Sequence, residues 1–213
     1  GTTEAWSGPT PLPLGGPRLR ALLTALALRP GRPVPPQTLI DEVWADAPPG
    51  DAAAALQALV ARLRRTLGRA AVTSGPGGYR LDAKRDAIDL FAFEGLVREG
   101  ESALNTGDPA AAARLLTRAL DLWRGPALAD LPDRTGAAAR PEALRLTALR
   151  LRIDADLALG DSAHALPVLR GAVAGHPLDE AFRAQLIRAL RAEGRTADAL
   201  VAYDEARTVL AET

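Results

Sequence analysis

The stretch LQALVARLRRTLGR (56–69) carries four arginines, at 62, 64, 65 and 69. Leu56, Val60, Leu63 and Leu67 recur through it at helical spacing and form one apolar stripe. On the opposite side lie Ala54, Gln57, Ala58, Ala61, Arg62 and Arg65. Small residues let such a face sit deep in a groove. An arginine can make a two-pronged contact to guanine, and a glutamine can do the same to adenine. A few residues on, GGYRL (77–81) supplies glycines for a tight turn, an inward Tyr79 and an outward Arg80. Arg80 is placed to reach phosphate or the minor groove. The plain alternatives are a solvated arginine face and an ordinary surface hairpin.

The elements around these residues decide between the two. The segment up to Gly16 is proline-rich, with one edge strand expected around Thr2–Trp6. Pro17 opens a first helix, LRALLTALAL, which Pro30 and Gly31 should stop. QTLIDEVW (37–44) reads as a short second helix, and Pro48 with Pro49 breaks it. Asp51 is the expected N-cap of a third helix over 52–67, ended by Gly68. VTSGPGGYRL (72–81) reads as strand, turn, strand. Three helices followed by a hairpin is the order of a winged helix-turn-helix. In that setting the third helix enters the major groove.

A boundary is expected within DAKRDAID (82–89), giving domains 1–85 and 86–213 with separate cores. Charge divides the same way. Residues 1–85 hold 11 basic and 6 acidic residues, and 86–213 hold 15 and 20, so a net charge of zero hides halves of opposite sign. All basic residues but Lys84 are arginine, which reads as a coding bias. The second part reads as all-helical, with one pattern three times. Gly107, Gly160 and Gly194 are each followed at +5 by Ala112, Ala165 and Ala199, at +9 by Leu116, Leu169 and Tyr203, and at +12 by Ala119, Ala172 and Ala206. The last two glycines are 34 residues apart, the tetratricopeptide period. The first two are 53 apart, with LPDRTGAAARPEALRL (131–146) read as an insertion. The expected fold is therefore mainly α: a winged helix with a small β-hairpin wing, then a tetratricopeptide-like helical domain.

Other chemistry finds little support. There is no cysteine, so thiolate sites and disulfides are excluded. The only histidines, His164 and His176, have no carboxylates around them at ligand spacing, so no metal or catalytic role is assigned. No phosphate loop, nucleophile elbow or dinucleotide fingerprint appears. No enzyme activity and no cofactor are expected. Asp154 and Asp156 read as surface charges, and Trp44 and Trp123 as core anchors. No apolar run approaches the roughly 18 residues of a spanning helix, so no membrane partner and a cytoplasmic location are expected.

LGGPRLRALLTALALRPGRPVPPQTLIDEVW (14–44), Pro48-Pro49, ALQALVARLRRTLG (55–68) and PGGYRL (76–81) resemble the OmpR-like winged helix of the Streptomyces antibiotic regulatory proteins. GDPAAAARLLTRALDLWRGPALADL (107–131) and GHPLDEAFRAQLIRALRAEGRTADALVAYDEAR (175–207) resemble the bacterial transcriptional activator domain that follows it. The resemblance implies a cluster-linked activator of secondary metabolism in an actinobacterium. Its partners would be double-stranded DNA, bound at direct repeats as a head-to-tail pair, and RNA polymerase with its sigma factor. It implies DNA contacts by Gln57, Ala58, Ala61, Arg62, Arg64, Arg65 and Arg80. Three departures stand out. The chain opens at TTEAW, inside or after the family's first strand, so an incomplete N-terminal sheet is expected. The family's phosphate-contacting Asn and His are here Ala54 and Leu59, which lowers the expected salt slope by up to about two units. The chain ends at LAET, where relatives continue, which reads as an excerpt. The rival reading makes the helical repeats the working part, a protein- or ligand-binding module.

Overall fold

The computed structural model describes residues 1–211. They fall into two compact units. The first unit comprises residues 1–93 and 122–143, the second 94–121 and 144–213. The units are thus not the contiguous halves expected from a boundary at residue 85, and the division falls inside two helices.

In the first unit β1 (Ala5–Ser7) and β2 (Thr10–Leu12) pair antiparallel, with Trp6 opposite Pro11. The single edge strand expected at Thr2–Trp6 is therefore a hairpin that starts later. Three helices follow, α1 (Pro17–Ala27), α2 (Pro36–Trp44) and α3 (Ala52–Leu67). α1 ends at Ala27, before Pro30, and its C-cap amide bonds back into the last turn. All three pack on one another. Leu22 and Leu26 of α1, Leu39 and Val43 of α2, and Leu56, Val60 and Leu63 of α3 form one core. Burying each such side chain contributes about 1.5–3 kcal/mol. Asp51 caps α3 by accepting the Ala54 amide at 2.9 Å. β3 (Val72–Gly75) and β4 (Gly78–Leu81) close the wing, with Val72 and Leu81 buried in the same core.

The wing is tied in by a bridge. Val34 N–H donates to Tyr79 O at 2.7 Å, and Tyr79 N–H to Val34 O at 3.0 Å. Gly78 permits it: its φ is +109°, and a Cβ there would fall 2.0 Å from the Val34 carbonyl oxygen. Tyr79 packs against the core and Arg80 is exposed, as the alternation predicts.

Residues 122–143 join this unit through the N-terminal segment. Leu131 is buried in its core. Asp130 accepts from Thr3 N–H at 2.6 Å and from Arg20 Nε at 2.7 Å. Burial alone would raise the Asp130 carboxyl, but these donors outweigh it and hold it below the ordinary carboxylate value. The insertion expected inside the repeat domain is, over residues 131–143, part of the first unit instead. Trp44 is a core residue, whereas Trp123 is half-buried, edge-on to Phe93 with ring centroids 5.3 Å apart.

The remaining helices are α4 (Asp89–Asn105), α5 (Pro109–Asp121), α6 (Thr135–Ala158), α7 (Ser162–Gly175), α8 (Glu180–Ala192) and α9 (Thr196–Ala211). They run as three helix pairs. Gly107, Gly160 and Gly194 sit in the turn within each pair, all at positive φ. Ala112, Ala165 and Ala199, and Ala119, Ala172 and Ala206, are buried, as the repeat predicts for closely packed helices. So are Leu116 and Leu169. Their counterpart Tyr203 is 57% exposed. The surface reading of Asp156 fails: it is buried and ion-paired with Arg152 one turn earlier on α6. Asp154 does lie at the surface, paired with Arg188 at 2.6 Å.

Candidate nucleic-acid interface

α3 divides into two faces. Leu56, Leu59, Val60 and Leu63 are buried, while Ala54, Gln57, Ala58, Ala61, Arg62 and Arg65 are exposed. Five of the seven residues singled out in the sequence, Gln57, Ala58, Ala61, Arg62 and Arg65, therefore share one solvent-facing stripe. Arg80 is exposed on the adjoining hairpin. Among the described residues none of these three arginines is in an ion pair, whereas Arg20 and Arg29 of the same unit are held by Asp130 and Glu42. Three unpaired guanidiniums on one helix–wing surface suit a polyanion, because no carboxylate competes for them.

One of the seven, Arg64, is placed otherwise, and Leu59 is packed inward. Arg64 does not join the exposed stripe. Its Nε donates to Val72 O at 2.7 Å and its Nη2 to Ser74 Oγ at 3.0 Å, so the side chain faces β3. The helical spacing carried the signal: residue 64 lies one turn after Val60 and flanks the core stripe. Leu59, the position of the family's His, is only 9% exposed and belongs to the core. It opens no phosphate contact.

One contributor was not legible. The Arg62 guanidinium lies over the β2–α1 loop, where a Cβ on Gly15 would stand 2.7 Å from its Nη2. Gly15 leaves the space that Arg62 fills. This contact spans 47 residues of sequence, and no local pattern announces it.

Among the described residues no group of three or more His, Cys, Asp or Glu side chains could hold a metal ion. His164 and His176 are exposed. No helix of the described residues is long and apolar enough to cross a membrane.

Comparison with known proteins divides the chain at one point in the sequence, between residues 81 and 88. Residues 12–81 match the family described as "Transcriptional regulatory protein, C terminal", and residues 88–213 match the "Bacterial transcriptional activator domain". The chain is 40% identical over 214 residues to the regulatory protein AfsR of Streptomyces griseus, covering all of this chain and 22% of that protein. It is 39% identical over 205 residues to the regulatory protein DnrI of Streptomyces peucetius, covering 90% of this chain and 75% of that one. It thus spans about a fifth of the longer relative and most of the shorter. A solved structure, Mycobacterium tuberculosis EmbR in complex with a low-affinity phosphopeptide, superposes with a TM-score of 0.87 at 34% identity, covering 95% of this chain and 56% of that one.

Proposed function

The chain belongs to the Streptomyces antibiotic regulatory protein family of transcriptional regulators, and on that premise we propose that it activates a secondary-metabolite gene cluster by binding duplex DNA at a specific sequence. α3 enters the major groove, with Gln57, Arg62 and Arg65 facing base edges and phosphates and with Ala58 and Ala61 allowing close approach. The wing places Arg80 against the neighbouring backbone or minor groove. Residues 1–85 do the reading. Residues 86–213, as helical repeats, contact RNA polymerase and its sigma factor. Two chains sit head-to-tail on direct repeats, and the protein works in the cytoplasm without catalysing a reaction.

One observation carries this reading: the exposed, unpaired arginines on α3 and β4, beside small residues on the same face. A band-shift titration of the full chain on duplex DNA, at low and at moderate salt, tests it. Binding that weakens steeply with salt supports the reading, since each phosphate contact releases counterions. No binding at low salt contradicts it. The rival reading, a protein-binding repeat module, draws on the exposed Leu200, Val201 and Tyr203 of α9. It predicts an intact fold with no DNA binding.

A further inference from the structure

Arg64 is the one arginine of α3's final two turns whose side chain is bonded to the wing. Its two acceptors both lie on β3 and bracket Thr73. Thr73 is the cross-strand partner of Arg80. Nε and a terminal nitrogen of a guanidinium share one rigid edge, so two bonds from that edge fix an orientation as well as a distance. The wing needs such a hold. It is a hairpin of two four-residue strands, which is marginal in isolation. Its backbone hydrogen bonds to the rest of the unit run to Val34 and Gly31, neither of them on α3, which otherwise meets the wing through the shared core around Val72 and Leu81. The Arg64 pair joins the wing directly to the helix that carries Arg62 and Arg65.

Resting on the DNA-binding reading above, we propose that Arg64 is a positioning residue rather than a DNA contact. It latches the wing to the end of α3, so that Arg80 and the exposed face of α3 meet one duplex in a single geometry. A lysine would keep the charge that a phosphate contact needs. It could not keep the forked pair of bonds. The two roles therefore separate by substitution.

The experiment compares the full native chain with Arg64→Lys, Arg64→Leu and Ser74→Ala. Amide hydrogen exchange without DNA is the first readout. Both Arg64 variants should speed exchange of the β3 and β4 amides by about tenfold and leave α1 unchanged. Ser74→Ala, which leaves α3 untouched, should give a smaller rise, about threefold. Native exchange rates in Arg64→Leu overturn the latch, whatever happens on DNA. Affinity is the second readout, on the sequence the native chain prefers. Arg64→Lys should bind as weakly as Arg64→Leu, and the loss should vanish in an Arg80→Ala background. Arg64→Lys retaining native affinity, or losses that multiply with Arg80→Ala while the salt slope falls by about one further unit, would make Arg64 a phosphate contact. If the native chain binds no DNA, the functional reading fails and the exchange result alone decides the latch.

Discussion

Arg62 and Arg80 are both exposed arginines, yet their settings separate their expected roles. Arg62 lies in the middle of the small-residue face of α3, which on the proposed function meets base edges. Arg62→Ala should therefore cost about 1–3 kcal/mol on the preferred sequence and little on random DNA. Arg80 stands on a wing strand, so Arg80→Ala should weaken both alike. Competition titrations with the two DNAs check both; equal losses for Arg62→Ala would show that it reads no base. Gly15 adds a finer test. An Ala there crowds only the far end of the Arg62 side chain, touches Leu19 at an ordinary 3.7 Å and needs no unusual backbone angle. Gly15→Ala should leave the stability within about 1 kcal/mol of native, while shifting base preference at the position Arg62 is proposed to read. An unchanged preference would mean that the resting place of Arg62 is immaterial on DNA.

The elements were largely legible in the sequence, and the misses share a cause. α2, α3 and the wing fall where periodicity, Asp51, Gly68 and Gly77-Gly78 put them, because caps and turns are written within a few residues. The exposure of Gln57, Ala58, Ala61, Arg62 and Arg65 on α3 followed from the same 3.6-residue period. Arg64's hold on β3, Gly15's fit to Arg62 and Asp130's bonds to Thr3 and Arg20 are tertiary, and no local pattern encodes them. Leu59 shows the limit of analogy. Its position invites the family's His, but it is a core residue here, so Leu59→His should destabilise by roughly 2–4 kcal/mol in a chemical melt. Ala54 is exposed on the first turn of α3, and its own N–H is already taken by Asp51, so a polar side chain at this position would have to supply any new phosphate contact. Ala54→Asn should tighten binding to any sequence by about 0.5–1.5 kcal/mol without lowering the melting temperature. On the wing, Gly78→Ala would drive a Cβ into the Val34 carbonyl at a disfavoured φ. Roughly 2–5 kcal/mol of destabilisation is expected, and native-like stability would mean that the wing is not bridged to Val34.

At the scale of the whole chain, stability should fall in acid through identifiable carboxylates. Asp130, 5% exposed at its side chain, is opposed by burial but held below its ordinary value by Thr3 and Arg20. Asp179 is likewise opposed by burial but held down by Arg150 and the Phe182 amide at the start of α8. A depressed carboxylate stabilises the fold fully above its unfolded value of about 3.9, and that contribution is lost as pH falls through the folded value. Asp130→Asn should thus lower stability by about 1–3 kcal/mol at neutral pH and by progressively less below pH ~4. A constant loss across that range would contradict the assignment. The central claim concerns DNA, and retention of a randomised duplex pool by the full native chain tests it most directly. At about 50 mM salt the chain should retain duplexes, enrich one repeated sequence over successive rounds, and lose affinity by orders of magnitude towards about 200 mM. No retention at the lower salt, or retention with no sequence enriched, would contradict it.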